Sequence, residues 1–256
     1  MSVEVNHVVE GPADGEVVVM SGSLGSDHRM WEPQVESLVQ NGFRVVRYDH
    51  RGHGASPVPA GPYSIADIGG DLIALLDKLG AARAHVVGLS LGGMTGMWAG
   101  AHAPGRIASL VLCCTSAKLG PPESWAERAR AVREGGLAAI VDALVGRWVT
   151  PAFAQAHPER VDFLKGMVLG TPDAGYIECC GVIEHMDLLP ELPRISAPTL
   201  VIAGAEDPAT PPEHGRRIAE GIPGARLEIV DGAAHLGSYE QSARFTQLIL
   251  EHLKAA

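Results

Sequence analysis

Residues 84–94 read Ala-His-Val-Val-Gly-Leu-Ser-Leu-Gly-Gly-Met, and this stretch decides the fold. It contains a G-x-S-x-G motif, Gly88–Gly92, which follows an apolar, strand-like run and precedes residues compatible with a helix. A strand that feeds a sharp turn and then a helix is the setting of a nucleophile elbow. The glycines let the backbone take that strained turn without Cβ clashes. Ser90 is therefore the predicted nucleophile, at a helix N-terminus whose N–H groups can stabilise an oxyanion.

Strand-like and helical patterns alternate along most of the chain. Strands are predicted at Val3–Val9, Glu16–Ser21, Phe43–Tyr48, His85–Leu89, Ser109–Cys113, Thr199–Ala203 and Arg226–Val230. Helices are predicted at Trp31–Gln40, Ile65–Leu79, Gly92–His102, Glu213–Gly221 and Ser238–His252. The second helix opens with the capping signature Ser64-x-x-Asp67 and ends at Gly80. This alternation predicts an α/β fold with a mostly parallel sheet, helices on both faces and an N-terminal antiparallel hairpin.

The alternation stops after Cys114, where the pattern becomes helical until about residue 189. We expect residues 117–190 to form an inserted helical cap, and residues 1–116 and 191–256 to form the α/β core. Such a cap would cover the carboxyl edge of the sheet, where open α/β folds bind ligands. The chain of 256 residues is long enough for one large domain with this insertion.

The charge of the chain restricts its partners. A formal net charge of −10 argues against nucleic acid or an anionic membrane surface as a partner. An anionic substrate remains possible, because a nearby arginine outweighs a diffuse negative field over a few ångströms. We see no secretory signal and no apolar stretch of membrane-spanning length, and we expect a cytoplasmic protein.

The four cysteines form two adjacent pairs, Cys113-Cys114 and Cys179-Cys180. This spacing matches no zinc site, and adjacent cysteines rarely bridge each other. A disulfide between the pairs stays open, although reduced, packed thiols are favoured. We expect neither a metal nor a cofactor.

A nucleophilic serine needs a base, and the base needs an orienting acid. In a fold with this elbow the chain order is serine, acid, histidine. Asp207 is the predicted acid, because it lies in the turn-rich loop after the strand Thr199–Ala203, whereas the loop after the previous strand has no carboxylate. Glu206 would face elsewhere in that turn. His235 follows the last predicted strand and is the predicted base.

Two backbone N–H groups are expected to form the oxyanion hole. One belongs to Leu91, which follows the nucleophile, and the other to the loop Gly22-Ser23-Leu24-Gly25. Leu24 is favoured in that loop, because the N–H after the Gly-Ser pair turns inward. His53 is expected to stabilise a loop rather than to take part in the chemistry.

These residues resemble those of the 3-oxoadipate enol-lactonases of the α/β-hydrolase superfamily. The resemblance runs nearly end to end. It is carried by the segments Ser23–Gly25, Met30–Gln34, Arg47–Gly54, Gly88–Met94, Arg147–Trp148, Thr150–Phe153, Tyr176, Cys179–Cys180, Ala203–Gly204, Asp207, Ala209–Pro212, Ala233–Leu236 and Glu240–Gln241. The core motifs are shared by many esterases, so the cap motifs around Arg147–Trp148 and Cys179–Cys180 are the more specific part. The chain departs from the family pattern at residues 237–239 and at Ser242, which lie close to His235 in sequence.

The resemblance implies a cofactor-independent serine hydrolase that opens a small enol-lactone bearing a carboxylate. That carboxylate needs a cation, for which an arginine is best suited. The cap offers Arg128, Arg130, Arg133 and Arg147. Arg147 is favoured because it adjoins Trp148, and Trp148 and Trp98 are expected to wall the pocket.

Two alternatives to such a lactonase stay open. The first is another lactone or carboxylic-ester hydrolase, including one used in biosynthesis. The second is a ligand-binding sensor on a hydrolase scaffold, but a pure binder does not need all of Ser90, Asp207 and His235. The oligomeric state does not follow from the sequence.

Overall fold

The computed structural model describes residues 1–256 and is built on one seven-stranded sheet. The strands, in chain order, are β1 His7–Glu10, β2 Val17–Ser21, β3 Arg44–Tyr48, β4 Ala84–Leu89, β5 Ile107–Cys113, β6 Thr199–Gly204 and β7 Arg226–Val230. Their order across the sheet is β1-β3-β2-β4-β5-β6-β7. Every pair is parallel except β1 with β3, which confirms the predicted mostly parallel α/β sheet.

The predicted N-terminal hairpin is wrong. Strand β1 pairs with β3, with His7 opposite Tyr48, and does not pair with its sequence neighbour β2. The burial of the two strands explains this arrangement. All but the first residue of β2 are buried, so β2 lies inside the sheet with parallel neighbours on both sides, whereas β1 is only partly buried and occupies an edge.

Eleven α-helices surround and extend this sheet. They are α1 Glu32–Gln40, α2 Ile65–Lys78, α3 Leu91–His102, α4 Pro122–Gly135, α5 Val141–Val145, α6 Pro151–Ala156, α7 Pro158–Leu169, α8 Asp173–His185, α9 Pro212–Gly221, α10 Gly237–Glu240 and α11 Ser242–Ala255. Every residue of β4 and β6 is buried, so both faces of the central sheet are covered. No helix combines the length and the apolar character needed to cross a membrane.

The predicted boundaries of α2 agree with its observed caps. The Ser64 side chain accepts a hydrogen bond from the Asp67 N–H, and the Asp67 side chain accepts one from the Ser64 N–H, so a capping box is present. Gly80 follows the last residues of the helix with φ of +66°, in the left-handed region that favours glycine.

The segment between β5 and β6 contains only helices, α4 to α8 and short 3₁₀ turns. Helix α4 packs along α8 within this insertion. The Leu188 N–H donates to the Ala117 carbonyl oxygen over 2.8 Å, so the two ends of the insertion meet. This contact supports the division that we propose, with residues 117–190 as a cap and the rest as the core.

Candidate active site

Ser90 lies at the junction between β4 and α3, in a backbone conformation that few residues adopt. Its φ is +56° and its ψ is −113°. The flanking sequence permits this turn because a Cβ at Gly88 would overlap the backbone of Gly92, and a Cβ at Gly92 would overlap the Ser21 carbonyl. Strain at a non-glycine residue of this kind is typical of functional sites. The local geometry is therefore that of a nucleophile elbow.

Asp207 and His235 come together at the carboxyl ends of β6 and β7. His235 Nδ1 lies 2.9 Å from Asp207 Oδ2, and both side chains are buried. Three further donors converge on the same carboxylate: Thr210 Oγ1 at 2.7 Å, the Ala209 N–H at 2.7 Å and the Thr210 N–H at 3.0 Å. Burial alone would raise the pKa of Asp207, but the charge of His235 and these hydrogen bonds lower it to about 2. The acid is therefore ionised at neutral pH.

Ser90 and His235 line the same cavity, of about 150 Å³. No hydrogen bond joins the two side chains in this structure. Because Asp207 occupies Nδ1 of the imidazole, Nε2 is the ring nitrogen left for a proton transfer with the serine. Productive hydrogen bonds of this kind often tighten only when substrate binds.

The amides predicted for the oxyanion hole differ from their neighbours in having no hydrogen-bond partner. In the loop 22–25, the Ser23 N–H donates to Met30 Sδ and the Gly25 N–H donates to His53 Nε2 over 2.9 Å. The Leu24 N–H makes no hydrogen bond within the protein, and neither does that of Leu91 at the start of α3. Leu24 lines the cavity beside Ser90. These two free N–H groups are the ones predicted for the oxyanion hole.

His53 stabilises the loop 22–25, which we call the oxyanion loop after its predicted role. Its Nε2 accepts the Gly25 N–H, and its Nδ1 lies 3.2 Å from the Arg51 carbonyl oxygen. Burial lowers the pKa of the ring, which keeps it neutral and lets Nε2 act as an acceptor. This contact occupies the Gly25 N–H, whereas the neighbouring Leu24 N–H has no partner in the protein.

The cap and the core share the lining of the cavity. The core contributes Ser23, Leu24, Ser90, Ala209 and His235, and the predicted cap contributes Leu119, Gly120, Ser124, Trp125, Arg128, Leu144, Arg147, Trp148 and Ile183. Arg147 and Trp148 therefore lie where the sequence predicts them.

The predicted pocket role of Trp98 is wrong. Trp98 does not line the cavity; its ring stacks on His102, with centroids 4.6 Å apart, and covers Gly69 of α2. Trp98 lies eight residues beyond Ser90 on α3, more than two helical turns from the elbow. Its distance from the turn and its packing against α2 exclude it from the site.

Two of the four cap arginines reach the cavity. Arg147 Nη2 donates to the Pro208 carbonyl oxygen over 3.0 Å, beside the acid Asp207. The guanidinium of Arg128 lies 4.4 Å from the centre of the Trp125 ring, in a cation–π contact. Arg130 and Arg133 are exposed and outside the cavity.

The sequence offers Arg128 as one of four candidates but favours Arg147, whereas both line the cavity. The signal that identifies Arg128 is its spacing from Trp125, because residues three apart on α4 share a face of the helix. The spacing predicts that Arg128 reaches the cavity only when the face of α4 that carries Trp125 is known to line it.

Neither the cysteines nor the single cluster of possible metal ligands, Asp27, His28 and Asp49, contributes to the lining of the cavity. All four cysteines are free and buried, as predicted for packed thiols. Asp27, His28 and Asp49 have ligand atoms within 4.8 Å of one another, but His28 Nδ1 is already 2.9 Å from Asp49 Oδ1. This cluster joins the loop at residues 27–28 to the loop after β3, and none of its residues lines the cavity.

Comparison with known proteins places these features in a family. The model of the α/β-hydrolase fold family matches residues 16–144 and 163–242. A 3-oxoadipate enol-lactonase of Acinetobacter baylyi is 40% identical over 96% of this chain and 92% of its own. The solved structure of the enol-lactonase from Burkholderia xenovorans superposes with a TM-score of 0.95 and 39% identity, over 98% of this chain and 96% of that one. A protein named carbamate hydrolase RutD, from Variovorax paradoxus, is 33% identical over 97% of this chain and 96% of its own.

Proposed function

The chain belongs to the α/β-hydrolase family, and on that premise we propose that it is a serine hydrolase that opens a small anionic enol-lactone through an acyl-enzyme. The observation that carries this proposal is the shared cavity of Ser90 and His235, with His235 held by Asp207 at 2.9 Å. A nucleophile, a base and an orienting acid in one buried cleft are what acyl transfer requires.

The first half of the reaction forms the acyl-enzyme. His235 Nε2 removes the proton from Ser90 Oγ as that oxygen attacks the lactone carbonyl. The N–H groups of Leu24 and Leu91 stabilise the oxyanion, and the carboxylate of Asp207 stabilises the imidazolium. Collapse of the tetrahedral intermediate breaks the bond to the ring oxygen, which receives the proton from His235 and leaves as an enol.

The second half releases the product. The enol becomes a ketone while the chain is still esterified to Ser90, because ring opening leaves both ends of the substrate on one molecule. His235 then removes a proton from a water molecule that attacks the ester carbonyl. The second collapse returns the proton to Ser90 and frees a dicarboxylate, the 3-oxo acid.

The substrate class follows from the cap side of the cavity and from the relatives. Two guanidinium groups, of Arg128 and Arg147, face a cavity that otherwise holds mostly apolar and hydroxyl groups. Such a pair suits a substrate carboxylate. Relatives at 40% and 35% identity are named 3-oxoadipate enol-lactonases, whose substrate has this charge. The small cavity volume, about 150 Å³, suits a single five-membered ring with a short side chain.

A second candidate is hydrolysis of a different ester, or of a carbamate. The relative at 33% identity that is named a carbamate hydrolase favours including this class. The same attack on a carbonyl would serve a carbamate, since the serine and oxyanion groups do not depend on the leaving group. The two candidates differ in whether a carboxylate on the substrate matters.

A substrate panel tests the proposal. We would compare kcat/KM of the purified protein for β-ketoadipate enol-lactone, a neutral lactone of the same ring size, an aryl acetate and a simple carbamate. The proposal predicts the highest value for the anionic lactone, at least about tenfold above the neutral lactone, since a charge-assisted pair contributes about 1.5–3 kcal/mol. Equal values for both lactones, or a preference for the carbamate, would contradict it.

A further inference from the structure

Glu240 is a buried carboxylate that contacts both the core and the cap. It ends α10, five residues after His235, and is only 9% exposed. Its Oε1 accepts hydrogen bonds from the Thr150 N–H, at 3.0 Å, and from the Thr150 hydroxyl. Its Oε2 accepts one from the Ala234 N–H at 2.9 Å. One carboxylate oxygen therefore contacts the proposed cap, and the other contacts the core.

The residues on both sides of His235 are tied to the same cap segment. Ala234, which precedes the histidine, reaches Thr150 through the carboxylate of Glu240. Leu236, which follows it, donates its N–H directly to the Trp148 carbonyl oxygen over 2.7 Å. We call residues 233–236 the base loop. The base loop is held from both ends by cap residues 148–150, and Trp148 in that segment lines the cavity.

The chemistry of these contacts requires a carboxylate. All three groups that point at Glu240 are donors, and a buried acceptor with three donors is well satisfied. A glutamine in its place would present an NH₂ group to one of the two sides, where it would meet another donor. An apolar residue would leave all three donors without a partner, which is costly in a buried site.

We propose that Glu240 is a positioning residue for the general base. By joining the base loop to the cap, its carboxylate sets where the His235 ring lies relative to Ser90. It also fixes the position of the cap residues that line the cavity relative to His235. The inference rests on the proposed function only in taking His235 as the base. Since small displacements of a catalytic group lower rates strongly, loosening this tie should reduce kcat more than it changes KM.

The test uses E240Q together with two variants of its partner, T150S and T150V. In E240Q, the amide oxygen still accepts from Thr150, while the NH₂ group faces the Ala234 N–H. We expect kcat for an aryl acetate to fall about 10- to 100-fold with KM within about threefold, as expected for a base displaced by up to about 1 Å. The rate at which a fluorophosphonate labels Ser90 should fall in parallel. T150S keeps the hydroxyl donor and should behave like the wild type, whereas T150V should not.

The matched control is K165A. It removes a cap ion pair, Lys165 to Asp142 at 2.7 Å, that does not touch the base loop. Its kcat should stay within about twofold of the wild type, since exposed pairs contribute little. Circular dichroism and thermal melts confirm that each variant is folded at the assay temperature.

The outcomes separate this inference from the proposed function. A folded E240Q with wild-type kcat and labelling rate would overturn the positioning role, as would a rise in KM alone. If E240Q does not fold, equal kcat values for T150S and T150V would overturn it. Wild-type labelling at Ser90 without turnover of the enol-lactone would overturn the substrate proposal and leave the positioning role standing. An absence of labelling in the wild type would overturn both.

Discussion

Four donors converge on the Asp207 carboxylate, and one of them is the imidazole of His235. This arrangement holds His235 in the tautomer with its proton on Nδ1, so that Nε2 can accept a proton. The pKa of Asp207, about 2, keeps the carboxylate ionised at neutral pH.

Substituting Asp207 by asparagine should therefore remove activity without removing the fold. The amide oxygen can still accept the Ala209 and Thr210 N–H groups, but the amide NH₂ would donate to His235 Nδ1 and favour the wrong tautomer. We expect D207N to lower kcat by roughly 10³- to 10⁴-fold, the order known for this change in a catalytic triad. Steady-state kinetics and a thermal melt measure the two effects. A loss of activity smaller than about tenfold would exclude Asp207 as the orienting acid.

Asp49 contributes to stability rather than to chemistry. Burial would raise its pKa, but hydrogen bonds from His28, Asn6 and Ala55 lower it to about 2. A carboxyl with a lowered folded-state pKa stabilises the fold above its ordinary pKa of about 4 and loses that contribution as the pH falls toward 2.

Urea unfolding of D49N against the wild type tests this pH dependence. We expect D49N to be less stable by about 1–2 kcal/mol at pH 7, and the difference to shrink as the pH is lowered from 4 toward 2. D231N, which changes an exposed aspartate, serves as the control and should show no such difference. A D49N difference that stays constant from pH 7 to pH 3 would refute the proposed role of the ionised carboxylate.

At the scale of elements, the turn from β4 to α3 requires glycine at position 92, where backbone approaches backbone. A Cβ at Gly92 would overlap the Ser21 carbonyl, and the Gly92 N–H donates to the Gly22 carbonyl oxygen over 2.9 Å. The elbow is thus packed against the start of the oxyanion loop. At Gly96, one turn further along α3, a Cβ would meet only side-chain carbons at 3.4 Å or more.

The paired variants G92A and G96A separate these two situations. G92A should push the elbow away from the oxyanion loop and lower kcat by at least about tenfold, because a displaced oxyanion donor weakens transition-state stabilisation. G96A should keep wild-type kinetics and gain up to about 1 kcal/mol, since alanine favours the helix. Equal activities of the two variants would show that the close packing at Gly92 does not position the site.

The sequence predicts those elements that depend on local contacts and fails for those that depend on contacts between distant segments. The elbow, the capping box of α2 and the long buried strands follow from local backbone chemistry, which a single sequence displays. The partner of β1 depends on which strands pair with the two sides of β2, which are β3 and β4. Local sequence patterns do not predict that choice. Trp98 shows the same limit, because its packing partner Gly69 lies on a different helix.

At the scale of the whole molecule, the cavity is formed jointly by core residues after β4, β6 and β7 and by residues of the proposed cap, 117–190. The chain order of serine, acid and histidine predicts the Asp207–His235 pair, which the structure brings to hydrogen-bonding distance. The cap side could be predicted less well. Which of the four arginines reach the cavity depends on how α4 and the segment around Trp148 face the core. The sequence favours only Arg147, because it adjoins Trp148 in a stretch that resembles the family.

The two cavity arginines should contribute unequally to the binding of an anionic substrate. Arg147 is exposed and already donates to the Pro208 carbonyl oxygen, whereas Arg128 is half-buried against Trp125. Charge interactions weaken with exposure to water, so R128Q should raise KM for the enol-lactone about tenfold and R147Q by less. Neither change should alter KM for a neutral aryl acetate. R130Q, an exposed change on the same helix, is the control, and an equal rise in KM for both substrates would argue against a role in charge recognition.

The central claim is that Ser90 is the nucleophile of a lactone hydrolase. Its most direct test is the ultraviolet loss of β-ketoadipate enol-lactone, followed in parallel for the wild type, S90A and the control S37A, which changes a partly exposed serine of α1 outside the cavity. We predict rapid loss with the wild type and S37A, and loss at the spontaneous rate with S90A, a fall of several orders of magnitude. Near-normal turnover by S90A, or spontaneous-rate loss with the wild type, would contradict the account.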